Sequence, residues 1–206
     1  MSNDKICYSV ILMSRKRPLR LKECIESVFN MACFPDNVEI LVRVDQDDKL
    51  TLDFCKDDSI FKNKTIRVFS GPKIGLLMGR IMLKRLCENT RGDFIVPIAD
   101  DCFMVNEWDK ILLPYKGKVA VLGNGPRIAI TRLAYEKYDF IKDFGGENTL
   151  KLDYKLYRFA MKNKIFIEIP KLFGHTEIED QTKLDNEWQL QNLELLRIPD
   201  TEIVLQ

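Results

Sequence analysis

The stretch GDFIVPIADDC, Gly92–Cys102, decides how this chain is read. Six residues that suit a buried strand, Phe94, Ile95, Val96, Pro97, Ile98 and Ala99, run straight into two adjacent carboxylates, Asp100 and Asp101. An apolar run of this length, opened by a turn signal, predicts an interior strand. In open α/β sheets, ligands sit beyond the carboxyl ends of the strands. Paired acids at such an end stand where oxygen ligands hold a hard divalent cation.

Upstream of this stretch the pattern alternates between strand and helix. CYSVILM, 7–13, predicts a first strand. A helix follows over 18–30, with Pro18 in its first turn and Leu21, Cys24, Ile25, Val28 and Phe29 on one face. VEILVRV, 38–44, is a second strand, 46–64 a polar loop with a short helix, and TIRVFS, 65–70, a third strand. GPKIG, 71–75, is a turn, followed by a helix over about 76–89.

Downstream, KVAVLG, 118–123, and RIAIT, 127–131, flank a short turn and predict an antiparallel pair. A helix over 132–142, a GGEN loop at 145–148 and a helix over 150–162 follow. IFIEI, 165–169, is read as the last strand, and a helix over 184–196 closes the chain. That helix carries Trp188, Leu190, Leu193 and Leu196, which suit core packing or a homodimer contact. The alternation predicts an α/β fold with a mixed, mostly parallel sheet flanked by helices.

The totals agree with one domain, 1–206. A chain of 206 residues with 46% hydrophobic content can bury a substantial core. Lys plus Arg is 32 against 31 for Asp plus Glu, a formal charge of +1. Such balance excludes the broad basic footprint of a nucleic-acid binder. No segment approaches the roughly 18 apolar residues of a membrane helix. The start, MSNDKICYSVILMSRKRP, has the wrong charge order for a secretory signal. Six scattered cysteines form no C-x-x-C pair, which predicts reduced thiols in a cytoplasmic protein.

The strand ends gather polar groups. Ser14, Arg15, Lys16, Arg17 and Pro18 follow the first strand, and Asp45, Gln46, Asp47 and Asp48 the second. Asp100 and Asp101 follow the fourth, and His175 the last across a short loop. Parallel strands bring these ends to one rim, a layout suited to a metal-bridged phosphate ligand.

Here the residues carry a family resemblance. YSVILMSRKRPLRLKECIESVF resembles the opening S-V-I-I-x-T-x-N-R-P and following helix of family-2 glycosyltransferases. VEILVRVDQDD is similar to their second strand, and GRIMLKRLCENTRGDFIVPIADDCFM to their A-R-N…D-D-D segment. LDYKLYRFAMKNKIFIEIPKLFGH resembles their late E-D helix, strand and histidine. The chain departs at Lys16 for Asn, Ile81 for Asn, Cys102 for the third acid and Leu152 for Glu.

The resemblance implies a GT-A fold whose nucleotide-binding half is about 1–101 and whose acceptor half is about 102–206. It implies a sugar moved from a nucleotide-diphosphate donor, UDP-linked, to an acceptor hydroxyl that the sequence does not name, with inversion. Asp101 would ligate Mn²⁺ or Mg²⁺, and Asp100 would touch the ribose or the metal. Asp45 would accept a hydrogen bond from the nucleobase, with Asp47 and Asp48 its competitors, Ser14 would line the pocket, Arg17 would help neutralise phosphate, and Arg80 would reach the base or the diphosphate. His175 would complete the metal shell or contact the diphosphate. Asp153 is the candidate general base, with Glu147 its rival. Trp108 is read either as an acceptor-stacking ring or as core. Two alternatives stand beside this reading: a non-catalytic module of the same fold, and a sugar-phosphate nucleotidyltransferase. Against the second, SRKRP at 14–18 lacks the glycines of that family's loop.

Overall fold

The computed structural model describes residues 6–63, 65–73, 79–125, 127–138, 152–175 and 198–205. Ten strands lie among them: β1 (Tyr8–Ser14), β2 (Val38–Asp45), β3 (Ile66–Gly71), β4 (Phe94–Ala99), β5 (Cys102–Met104), β6 (Val121–Asn124), β7 (Arg127–Thr131), β8 (Phe166–Glu168), β9 (Phe173–His175) and β10 (Thr201–Ile203). The helices are α1 (Pro18–Asn30), α2 (Lys49–Asp57), α3 (Gly79–Asn89), α4 (Trp108–Leu112), α5 (Arg132–Lys137) and α6 (Leu152–Lys162).

Eight strands form one sheet in the order β10-β3-β2-β1-β4-β7-β6-β8. β3, β2, β1 and β4 are mutually parallel. β7 runs antiparallel to both β4 and β6, and β8 returns parallel to β6. The sheet is therefore mixed and mostly parallel, as the sequence predicts. Its centre reads as near-continuous apolar runs because both faces are covered. Alternate residues sort cleanly. Val10, Leu12, Val42 and Val96 pack with Leu21, Cys24, Ile25 and Val28 of α1. Ile11, Leu41, Phe69 and Ile95 pack on the opposite face with Leu86 and Cys87 of α3 and Leu156 and Ala160 of α6.

Pro97 sits within β4 without breaking the sheet. β4 pairs with β1 along its length, but its pairing with β7 stops at Ile95. The missing N–H of Pro97 thus falls where β7 asks for no ladder bond.

Three strands escaped the sequence pattern. β5 and β9 pair with each other as a separate two-stranded sheet, with Cys102 opposite His175. At Gly174 the ring of Phe103 occupies the space a Cβ would need, with Cζ 2.5 Å from that position. β10 adds antiparallel to the edge of β3, so 165–169 does not hold the last strand. α5 ends at Lys137, short of the expected 142, because Tyr138 turns extended and packs edge-on against Phe159 at 5.7 Å. The expected helix over 184–196 and the GGEN loop lie outside the described residues.

Trp108 belongs to the core. It is fully buried, donates its indole N–H to the Val28 carbonyl at 3.0 Å, and meets Tyr8 edge-on at 5.5 Å. The acceptor-stacking reading of Trp108 falls. Among the described residues, no helix is long and apolar enough to cross a membrane. No disulfide joins any two of the six cysteines.

Candidate active site

The carboxyl ends of β1, β2, β3 and β4 meet at one rim. Register fixes this: Ser14 lies beside Val44, Met13 beside Ala99, and Asp45 beside Gly71. Of the polar groups predicted to share that rim, those that follow β1, β2 and β4 lie at it.

Asp100 is its most constrained member. The carboxylate is fully buried. Ser14 Oγ donates to Oδ2 at 2.6 Å, and Arg17 Nη2 lies 2.5 Å from Oδ1. That second contact supplies charge without an aligned hydrogen bond, and Oδ1 has no other donor. Ser14, Arg17 and Asp100 thus form one cluster at the rim. Burial pushes the Asp100 carboxyl up to about 6, against the pull of the Arg17 charge and the Ser14 hydroxyl. Asp101 follows in the turn and is half-buried, so it is the more accessible acid of the pair.

The Asp100 shift has a stability consequence in metal-free buffer. The folded value lies above the 3.8 usual for the free side chain. Folded protein therefore holds this proton more tightly, and the stabilisation is lost as pH rises through about 6. Asp100→Asn carries no titrating proton there. Its stability relative to the native protein should rise by about 1.5 kcal/mol between pH 5 and pH 7.5, read from urea unfolding at both values.

Asp45 ends β2 and is also buried. Arg43, two residues earlier on the same face of the strand, donates Nη1 to Asp45 Oδ1 at 2.5 Å. Arg15 Nη1 reaches Oδ2 at 3.2 Å, and grips Asp47 with both its terminal nitrogens at 2.6 and 3.0 Å. Burial raises the Asp45 pKa against the opposing pull of Arg43. The hydrogen bond from Arg15 lowers that of Asp47. Of Asp45, Asp47 and Asp48, Asp47 is the exposed acid, with 48% of its side chain open.

Asp48 has a different task. One oxygen accepts from Thr51 N at 3.2 Å, capping α2, and the other from Lys16 N at 2.6 Å. That bond holds Lys16 at φ 57, a left-handed conformation disfavoured for a lysine. The resembling family places Asn at this point, a residue that tolerates such a backbone. Lys16→Asn should therefore raise the unfolding free energy by about 1 kcal/mol, measured as a higher urea midpoint at unchanged slope.

Other predicted residues are placed by backbone alone. His175 ends β9 opposite Cys102, the residue after Asp101, so the β5–β9 pair brings it beside the acidic turn. Arg80 is the second residue of α3, which packs against β1 and β2. Asp153 is the second residue of α6. The side chains of Arg80, Asp153 and His175, and the whole of Glu147, lie outside the described residues.

Sequence reasoning missed Arg43 and Asp200. Arg43 is 1% exposed, inside a strand whose residues between Glu39 and Asp45 are otherwise apolar. An arginine two residues before a strand-ending acid was the available signal, because that spacing puts both on one face. Asp200 meets Arg43 from 157 positions away, beyond the reach of any local pattern.

Among the described residues no group of three or more His, Cys, Asp or Glu forms a metal cluster. A pair of carboxylates still suits Mg²⁺ or Mn²⁺, which are commonly held by one or two acids together with substrate phosphates. Asp100 and Asp101 match that donor set, and the undirected Oδ1 of Asp100 is a lone-pair site left over for it.

The family described as Glycosyl transferase family 2 has a sequence model that matches residues 9–180, from β1 to just past β9. Crystal structures of S. aureus TarS share the fold. Its 1–349 fragment superposes with a TM-score of 0.59 at 16% identity, over 82% of this chain and 60% of that one. The same fragment in complex with UDP-GlcNAc gives 0.60 at 16% identity, over 84% and 59%. In complex with UDP it gives 0.60 at 15%, over 81% and 59%. The chain thus spans about 60% of the length of that fragment. No curated protein sequence matches it. Identity this low speaks to the GT-A architecture, and the match over 9–180 speaks to descent: this chain belongs to glycosyl transferase family 2.

Proposed function

We propose that the protein transfers a sugar from a nucleotide-diphosphate donor, UDP-linked, to an acceptor hydroxyl, with metal dependence and inversion at the anomeric carbon. One observation carries the reading. A buried carboxylate, Asp100, is held by Ser14 and Arg17 beside the more accessible Asp101, at the carboxyl end of a central strand of this family's fold. TarS, of the same fold, is known in complex with UDP and with UDP-GlcNAc, which supports a uridine nucleotide here.

The residues divide the work. Asp45 and Asp47 face the nucleobase end, with Ser14 lining the pocket. Arg17 and Arg80 neutralise diphosphate charge, for which guanidinium is suited. Asp101, with Asp100 and His175, would hold Mn²⁺ or Mg²⁺, which when bound offsets charge building on the leaving diphosphate. Asp153, or Glu147 in its place, takes the acceptor proton as that oxygen bonds to the anomeric carbon. The bond from that carbon to the diphosphate breaks, and its electron pair leaves with the nucleotide. Residues of about 1–101 would hold the donor, and about 102–206 the acceptor. Cysteines used as buried thiols, Cys24, Cys55, Cys87 and Cys102, suit a cytoplasmic protein.

A release assay with Mn²⁺ tests this. Nucleoside diphosphate freed from a nucleotide sugar supports transfer. Pyrophosphate freed from a nucleoside triphosphate would replace it with nucleotidyl transfer. Nucleotide binding without turnover across acceptors would leave a binding module.

A further inference from the structure

Arg43 has more partners than Asp45. Its Nε donates to Asp200 Oδ2 at 3.1 Å, and its Nη2 to the Pro72 carbonyl at 2.7 Å. Asp200 immediately precedes β10 and is 5% exposed at its side chain. Its other oxygen accepts from Arg85 Nη1 of α3 at 3.0 Å. The carboxylate fills the space above Gly71. A Cβ there would lie 1.7 Å from Asp200 Oδ1, so only glycine fits at the end of β3.

The charges alternate along a row: Asp47, Arg15, Asp45, Arg43, Asp200, Arg85. A guanidinium is planar, and three bonded nitrogens fix both its plane and its tilt. With Asp200 on Nε and Pro72 on Nη2, Nη1 is aimed at Asp45. Asp45 in turn directs Arg15, which clasps the exposed Asp47. The far end of the row is anchored by Asp200, at the entrance to the last described strand of the chain.

We propose that Asp200 is a positioning residue for nucleotide recognition: acting through Arg43, it sets the orientation of Asp45 and of the Arg15–Asp47 pair. The proposal rests on the reading that this rim binds a nucleotide. Asp200 touches no ligand itself. It makes the C-terminal strand a working part of the donor site, where strand pairing alone would make it a mere edge cover.

The same strand supplies a control. Glu202 of β10 pairs with Arg67 of β3 at 2.7 and 2.9 Å, on the surface and outside the row of ion pairs. Glu202→Gln weakens the docking of β10 without touching the row. UDP would be titrated calorimetrically in Mn²⁺ at a temperature where each variant is folded by near-UV dichroism. Asp200→Asn should weaken UDP roughly tenfold, within the range for residues that act at a distance. Glu202→Gln should leave affinity within about twofold. In an Asp45→Asn background, Asp200→Asn should add no further loss, since the two act in series.

Unchanged affinity in Asp200→Asn, or an equal loss in Glu202→Gln, would overturn the proposal. If Asp200→Asn does not fold, Arg85→Gln loosens the same carboxylate from its more exposed side and is judged by the same outcomes. Native protein that binds no UDP would remove the reading of the rim and the proposal with it. Native binding with an unaffected Asp200→Asn would remove the proposal alone.

Discussion

Arg43→Met is expected to lower the unfolding free energy by about 3 kcal/mol. Removing one member of a buried ion-pair network costs about 3–5 kcal/mol, because it strands the charges left behind. The lower end applies here, since each stranded carboxylate keeps one arginine. Asp45 retains Arg15 at 3.2 Å, and Asp200 retains Arg85 at 3.0 Å. The Pro72 carbonyl loses its donor as well. Burial already raises the Asp45 pKa, with Arg43 as the leading opposing influence. Without Arg43 that pKa climbs further, so the variant's deficit should widen as pH rises and Asp45 must carry its charge. Arg43→Lys should recover only part of the loss, because a point charge cannot serve three directions. Urea unfolding at pH 5 and pH 7.5 reads both effects. A loss below about 0.5 kcal/mol, the scale of ordinary surface changes, would contradict the buried row.

The second large effect is on chemistry. Asp101→Ala should reduce nucleotide-sugar turnover about a hundred- to a thousandfold, the scale for removing one electrostatic contact to developing charge. The melting temperature should move by only about 2 °C, as Asp101 lies in a half-buried turn outside the two core clusters. Steady-state kinetics with varied donor and varied Mn²⁺ separates the roles. A metal ligand should raise the Mn²⁺ requirement as well as lower kcat. A variant with native turnover would return Asp101 to an ordinary strand end.

The parts legible in the sequence were those with long periodic signals. VEILVRVD and FIVPIA are buried on both faces and read as strands at once, and α1 was bounded by Pro18 and a continuous apolar face. The cluster of Ser14, Arg17 and Asp100 follows from parallel strands ending at one rim, which is a topological consequence. What escaped had no period to show. β5, β9 and β10 are three residues each, and exist because tertiary partners complete them. Phe103 over Gly174 and Asp200 over Gly71 are such completions. In the sequence Asp45, Asp47 and Asp48 are competitors for one role at the end of β2. The structure divides it into a buried partner for arginines, an exposed acid and a helix cap. Trp108 could be placed only once Tyr8 and Val28 were seen around it.

The most direct test of the account is thermal unfolding with UDP, GDP, CDP and dTDP, each with and without Mn²⁺, on native protein and Asp101→Ala. A ligand that binds only the folded state raises the melting temperature. The account predicts a Mn²⁺-dependent rise with UDP that Asp101→Ala abolishes. No rise with any of the four nucleotides in the native protein would contradict it.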